Sequence, residues 1–145
     1  MDDVKYINER LNDQINWYDK KSQWNQRWFK RFQLSNIIAA AVIPFLSSFA
    51  GEISYYPWLV GVLGIYIAAS AAAISLYKFQ ENWIQYRTTA EQLKHEKYLY
   101  LTGAGPYNGE TRFQEFVKRV ESLISKENSA WAKLAANSDP EGNDR

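Results

Sequence analysis

The chain has 145 residues, a length typical of one domain, and sets 17 Lys and Arg against 16 Asp and Glu. The resulting net charge of +1 argues against a dedicated nucleic-acid binder, which normally carries a clear basic excess. Because the sequence has no cysteine, it excludes disulfide frameworks, thiolate zinc sites and cysteine nucleophiles.

The polar and charged N-terminal segment predicts a helix rather than a signal peptide. Residues 3–33 contain no Gly or Pro, and a signal peptide would need an apolar region ahead of a cleavage site. Apolar side chains recur at helical spacing at Ile7, Leu11, Ile15 and Tyr18. We therefore expect a helix over about residues 3–32 that runs directly into the apolar stretch after it.

Two uncharged stretches follow, at residues 32–51 and 53–77, and Glu52 separates them. Each reaches the roughly 20 residues that a helix needs to cross the hydrocarbon core of a bilayer. Polar residues and Pro44 dilute the first stretch, so a buried hairpin in a soluble bundle is the alternative. Aromatic rings at the borders favour the membrane, where Trp and Tyr are enriched at the interfaces. We predict spans at about 33–50 and 56–77.

The distribution of charge predicts the orientation of this hairpin. Cations without an intervening acid precede the first stretch, further cations follow the second, and the connecting loop carries only Glu52. By the positive-inside rule, both termini then face the cytoplasm. The expected fold is an all-α membrane protein, a two-span transmembrane helical hairpin with long cytoplasmic helical extensions.

The region after the second span is predicted to be cytoplasmic. The second span is expected to continue as a helix to about residue 102, and Gly103 and the loop after it end that helix. An amphipathic pattern then predicts a C-terminal helix at about 110–133. A single domain would thus cover residues 1–136, with cytoplasmic helices at about 3–32, 78–102 and 110–133 and a disordered tail at 137–145.

One face of the second span carries small side chains, which allow helices to approach closely in lipid. This helix-packing seam consists of Gly61, Gly64, Ala68, Ala72 and Ser75. Counted at about 100° per residue, the same face continues without a change of phase through Phe79 to Leu101. We expect the seam to pack against the N-terminal helix.

The opposite face carries polar groups and has two interpretations. Either it meets lipid or another helix, with Ser70 bonded to its own backbone, or it lines a pore around which several hairpins assemble. The pore-lining candidates are Tyr66, Ser70, Tyr77, Glu81 and Gln85. Glu52 is the candidate at the outer mouth, because rings of acidic side chains select cations.

A possible metal-binding pattern has a simpler explanation. Arg87, Glu91 and His95 share one helical face at a spacing of four residues, but two ligands fall short of the three of a catalytic zinc site. A ladder of ion pairs on a solvated face is favoured. With no nucleophile beside a base and no acid pair in the spans, we expect no enzyme activity, no metal and no cofactor.

The segment RTTAEQL follows the second span, and it is similar to the R-x-x-A-E-x-L signature of the bacterial SLATT domains, with Arg87, Ala90, Glu91 and Leu93 at the signature positions. The resemblance covers about residues 4–133. It includes YINERLNDQINWYDKKSQWNQRWFKR before the hairpin and KFQENWIQYRTTAEQLKHEKYLYL after it.

This resemblance implies a two-transmembrane protein of the bacterial plasma (inner) membrane that is associated with nucleotide-dependent conflict systems. It implies a pore-forming or membrane-perturbing effector that opens when a sensor signals and stops phage spread by harming the cell. The expected partners are the lipid bilayer, further copies in a homo-oligomer, permeating ions, and a cytoplasmic sensor protein or nucleotide signal, but no nucleic acid. The alternative is a non-conducting membrane scaffold that recruits a cytoplasmic partner through the 110–133 helix.

Overall fold

The computed structural model of the chain describes residues 2–137. Within that range the elements are helical and no strand occurs. The order is α1 (Asp3–Tyr6), a π-helical segment (Ile7–Leu11), α2 (Asn12–Ser47), α3 (Tyr56–Tyr77), α4 (Phe79–Thr102) and α5 (Arg112–Asn137). Of the tail predicted to be disordered, residue 137 ends α5 and residues 138–145 lie outside the described residues.

Proline positions help to define the turn between α2 and α3. Pro44 lies inside α2, and the helix ends one turn later at Ser47, whose hydroxyl donates to the carbonyl of Ile43 at 3.0 Å. Pro57 lies in the first turn of α3, where a missing N–H group leaves no helical hydrogen bond unmade. The turn therefore lies between Pro44, near the end of α2, and Pro57, at the start of α3.

Lys78 separates α3 from α4 and changes the predicted phase of the long helix. Its backbone is left-handed (φ 48°, ψ 44°), and its N–H donates to the carbonyl of Ile74 at 3.1 Å, which closes α3. The Asn82 side chain then donates to the carbonyl of Tyr77 at 3.1 Å. A left-handed residue breaks the regular rotation of 100° per residue assumed in the sequence prediction, so the predicted face does not continue in phase from α3 into α4.

The chain divides into two compact units. The bundle unit contains the described residues up to Lys20 and those from Tyr86 onward, and the hairpin unit contains Lys21–Gln85. The bundle unit has a closed apolar core in which Leu11, Leu93, Phe116 and Val120 are fully buried. Burying such a side chain stabilises a fold by about 1.5–3 kcal/mol.

One helical stretch among the described residues, Tyr56–Thr102, is long and apolar enough to cross a membrane. Only 6% of its most apolar part is buried inside the chain. Helix α2 does not meet the same test, because Gln33, Ser35 and Asn36 dilute its apolar part and the helix ends at Ser47. One membrane-spanning candidate is thus supported, and the second span stays a prediction.

Candidate functional site in the helical hairpin

The polar side chains in the middle of the hairpin unit pair with one another between α2 and α3. Ser70 is 4% exposed, and its hydroxyl donates to the side-chain oxygen of Asn36. One turn earlier on α3, the Tyr66 hydroxyl donates to the hydroxyl oxygen of Ser35 at 2.6 Å, and Ser35 itself donates to the carbonyl of Phe32 at 2.9 Å. These contacts satisfy polar groups that would otherwise be costly in an apolar surrounding.

The orientation of α3 within the hairpin unit differs from the sequence expectation. The face carrying Tyr66 and Ser70 contacts α2, whereas all five seam residues are exposed. A side-chain carbon added at Gly61 or Gly64 would meet nothing within 4 Å. The physical reason is that α2 presents Ser35 and Asn36, and pairing hydroxyl and amide groups decides the contact face ahead of close packing by small residues.

The remaining pore-lining candidates do not join Ser70 in one cluster. Tyr77 and Glu81 are exposed, and Gln85 is half-buried. Glu52 is exposed in the turn between α2 and α3. Glu52 and Glu81 are the two acidic residues of the hairpin unit, one on each side of α3.

The outward surface of the hairpin unit is rich in apolar side chains on α2 from Leu34 onward and along α3. Its large exposed side chains include Leu34, Ile37, Ile38, Phe45, Val62, Ile65 and Leu76. Monomeric soluble proteins rarely expose contiguous apolar surface on this scale, and such surface marks a contact with lipid or with another protein.

An aromatic cluster lies at the end of the hairpin unit where the charged residues begin. Ring centroids lie 5.7 Å apart for Trp28 and Phe32, 5.9 Å for Phe32 and Phe79, and 5.5 Å for Phe79 and Tyr77. Trp24 joins through Trp28 at 6.1 Å and through Phe79 at 6.0 Å. The sequence identified these rings as border residues, but it did not predict that they would converge.

The four residues of the signature divide between the core and the surface of the bundle unit. Ala90 and Leu93 are fully buried, whereas Arg87 and Glu91 are exposed. The predicted ladder takes a different form, because Glu91 pairs with Lys94 at 3.4 Å. Lys94 also pairs with Asp19 at 3.0 Å, and its hydrogen bond to Asp19 raises the pKa of the ammonium group.

No metal-binding group of three or more His, Asp or Glu residues occurs among residues 2–137. His95 is exposed on α4. The contacts described around the signature are the burial of Ala90 and Leu93 and the ion pair of Glu91.

Glu127 is a buried acid that the sequence analysis did not single out. It is 6% exposed, its Oε2 accepts a hydrogen bond from the Tyr18 hydroxyl at 3.1 Å, and its Oε1 has no partner among the described residues. Burial raises the pKa of this carboxyl. A signal was present in the sequence, because Glu127 continues the apolar stripe of Val120 and Ile124 at helical spacing.

Glu121 lies in the same unit as Glu127, but its pKa is shifted in the opposite direction. Arg10 donates to its two oxygens at 3.2 Å each, and the Tyr6 hydroxyl donates to Oε1 at 2.9 Å. The hydrogen bonds from Arg10 lower the pKa of the Glu121 carboxyl. One carboxylate of α5 is thus held charged, and the other is held toward its neutral form.

A model of the family described as protein of unknown function (DUF4231) matches residues 13–115. The chain belongs to this family. No curated protein and no solved structure matches the chain. The matched range contains the whole hairpin unit and the RTTAEQL segment, so the features described above for the hairpin lie in the part of the chain that the family shares.

Proposed function

We propose that this family member is a two-span membrane protein in which the hairpin unit is embedded in the bilayer. The observation that carries the proposal is the reversed polarity of the hairpin unit, with apolar side chains outward and the Ser70–Asn36 and Tyr66–Ser35 pairs inward. In hydrocarbon, polar groups must be satisfied within the protein, and apolar groups need no burial.

The first span is the shorter one. The uncharged part of α2 from Phe32 to Ser47 measures about 24 Å at 1.5 Å per residue, against a hydrocarbon thickness of about 30 Å. The uncharged residues continue through Gly51, and local thinning of the bilayer accommodates a short span at modest cost.

Single cysteines test this topology directly, because the chain contains none of its own. Ser54→Cys lies in the turn between the helices, and Ser125→Cys lies on the exposed side of α5. In intact cells, a membrane-impermeant maleimide should label the first variant, and it should label the second only after permeabilisation. Equal labelling of both variants in intact cells would refute the two-span topology with cytoplasmic termini.

We further propose that copies of the hairpin assemble into an ion-conducting homo-oligomer. The outward seam offers a close-packing surface for a second copy, because small side chains on adjacent helices permit close backbone approach in lipid. Glu52 and Glu81 flank α3, so an oligomer would present two rings of acidic side chains, a device that selects cations. Ser70 and Tyr66 contribute to this assembly by holding the hairpin together.

From the resemblance to SLATT domains, we propose a biological role for this channel. The similar RTTAEQL segment lies within residues 13–115, the range matched by the family model. The role would be that of a conflict-system effector in the bacterial plasma (inner) membrane, opened by a cytoplasmic sensor protein or a nucleotide signal.

Flux measurements on the purified chain in liposomes test conduction. Glu81→Gln and Glu52→Gln should reduce cation flux, whereas Glu110→Gln, which removes an exposed carboxylate from the bundle unit, should leave it unchanged. A flux that is indifferent to all three substitutions would contradict the proposed acidic rings. No flux, combined with a monomer in detergent, would favour the scaffold alternative.

The scaffold alternative receives less support from α5. The apolar side chains of that helix, including Phe116, Val120 and Ile124, already pack inside the core of the bundle unit. A partner recruited by this helix would have to bind its exposed, charged side. Deletion of α5 would then disrupt the bundle unit as well as partner binding.

A further inference from the structure

The aromatic cluster of Trp24, Trp28, Phe32, Tyr77 and Phe79 is accompanied by a set of cations. On α2, Arg27, Lys30 and Arg31 are exposed next to the row of Trp24, Trp28 and Phe32, and Lys78 is exposed between Tyr77 and Phe79. The guanidinium of Arg31 lies over the ring of Trp28, 5.7 Å from its centroid. This stacking holds the guanidinium in place and leaves its N–H groups available to a planar or tetrahedral anion.

These cations have no acidic partner among residues 2–137. The ion pairs of the described residues involve Lys5, Arg10, Lys94 and Arg119, and none involves Arg27, Lys30, Arg31 or Lys78. Arg27 makes one long contact, from a guanidinium nitrogen to the side-chain oxygen of Gln23 at 3.4 Å. No Asp or Glu occurs between residues 20 and 51. The part of α2 that belongs to the hairpin unit therefore contains no acidic residue that could balance the charges of Arg27, Lys30 and Arg31.

Lys78 adds a second, independent feature. It is the one non-glycine residue with a positive φ among the described residues, and this left-handed conformation is unfavourable for a residue with a side chain. Residues held in such conformations cluster at active sites, ligand clamps and switch regions. Here the break in the helix lies at an exposed lysine, and the Tyr77 and Phe79 rings on either side of it in the sequence stack on each other.

We propose that this aromatic and basic collar binds the phosphate of an anionic phospholipid headgroup, with Arg31 and Lys78 as its principal contacts. The inference rests on the proposed membrane location of the hairpin unit and deepens it by naming the lipid class. A lipid is favoured over a soluble anion because the collar adjoins the apolar outward surface. Trp24 and Tyr77 are also more than half exposed, which places amphipathic rings where headgroups meet acyl chains.

The test measures lipid affinity of the full chain in a neutral maltoside detergent. Phosphatidylglycerol or phosphatidylcholine is titrated while the thermal unfolding midpoint is followed, and inorganic phosphate is titrated in a third arm. Phosphatidylglycerol should raise the midpoint saturably and with higher affinity than phosphatidylcholine. Each cation near a membrane surface contributes about 1 kcal/mol, which is about a fivefold change in affinity, so Arg31→Gln with Lys78→Gln should weaken phosphatidylglycerol binding about 25-fold.

The matched control removes the same charge from the bundle unit. Lys118 and Lys126 are exposed on α5 and take part in no ion pair among the described residues. Their double substitution by Gln should leave the affinity for phosphatidylglycerol within about twofold of the original, because neither lysine belongs to the collar. Trp28→Leu removes the ring beneath Arg31 and should weaken the binding of phosphatidylglycerol while leaving the net charge unchanged.

Three outcomes would overturn the assignment. These are equal affinity for the two lipids, an equal loss of affinity in the collar and control variants, and saturation of the same effect by inorganic phosphate alone. If the cysteine labelling supports the two-span topology and one of these outcomes occurs, the lipid site is refuted and the proposed membrane location stands. If the cysteine labelling contradicts the topology, the proposed function itself is refuted.

Discussion

The bundle unit has a core of buried large apolar side chains, whereas the hairpin unit exposes most of its own. Leu93 in the bundle unit has no exposed surface, but Leu76 in the hairpin unit is 80% exposed. The polar contacts differ in the same way. The bundle unit pairs tyrosine hydroxyls with the carboxylates of Glu96, Glu121 and Glu127, and the contacts between α2 and α3 in the hairpin unit pair neutral hydroxyl and amide groups. This contrast is the one expected if the bundle unit folds in water and the hairpin unit lies in hydrocarbon, as we propose.

A matched pair of leucine truncations gives the largest expected contrast between the two units. Leu93→Ala should destabilise the bundle unit by about 2–5 kcal/mol, because it leaves a cavity in a closed core. Leu76→Ala should change stability by less than about 0.5 kcal/mol, as expected for a site without surrounding packing. Chemical unfolding of the reconstituted chain measures both changes. Equal costs for the two variants would mean that the outward face of α3 is packed against protein.

A charged substitution distinguishes lipid from water at two equally exposed valines. Val62 of the hairpin unit is 63% exposed and Val4 of the bundle unit is 59% exposed. Val62→Arg should impair membrane insertion by roughly 2.5–3.5 kcal/mol, since a charge within a span is costly, and Val4→Arg should have no measurable effect. Flotation with vesicles after cell-free synthesis reports insertion. Normal insertion of the Val62→Arg variant would contradict a lipid-facing position for residue 62.

The fold was predictable from the sequence wherever charge and periodicity agreed. The helices and the turn near Gly51 could be placed because charge vanishes over residues 32–77 except at Glu52. The sequence did not show which face of α3 contacts α2. Ser70 is polar whichever way it faces, and the contact is decided by Asn36, which lies opposite it on α2. Lys78 was equally hidden, since nothing in the sequence distinguishes a left-handed lysine from a helical one. The aromatic collar needed the hairpin to be folded before Phe79 could meet Phe32.

The two acids of α5 predict opposite pH dependences within the bundle unit. Burial raises the pKa of Glu127 above its ordinary value of 4.5, so its favourable contribution is fully present below that value and is lost as the pH rises through the raised pKa. Arg10 lowers the pKa of Glu121, so its contribution is present above 4.5 and is lost as the pH falls through the lowered pKa.

Substitution by Gln separates these two contributions. Glu127→Gln should stabilise the bundle unit near neutral pH by on the order of 1 kcal/mol, because it removes a buried charge with an unpartnered oxygen. Urea unfolding of the full chain between about pH 4 and pH 8 measures the effect. Glu121→Gln serves as the control and should destabilise the unit near neutral pH. A Glu127 variant that keeps the original pH profile would show that this carboxyl is not the buried acid described here.

The smallest expected effect concerns the polar pair inside the hairpin unit. A double-mutant cycle of Ser70→Ala and Asn36→Ala should give a coupling energy of about 0.6 kcal/mol and at most about 1.7 kcal/mol, the range for hydrogen bonds between helices in membranes. Unfolding of the reconstituted chain in mixed micelles provides the four values. A coupling energy of zero would mean that α3 presents another face to α2 in the membrane.

The most direct test of the central claim, that the two units occupy different solvents, is the collision accessibility of a single spin label. The label is attached to Val62→Cys or to Val4→Cys in liposomes, and its relaxation is measured with oxygen, which concentrates in lipid, and with a water-soluble nickel chelate. The account predicts that oxygen reaches the label at residue 62 and the chelate does not, with the reverse order at residue 4. Ready access of the chelate to residue 62 would contradict the account.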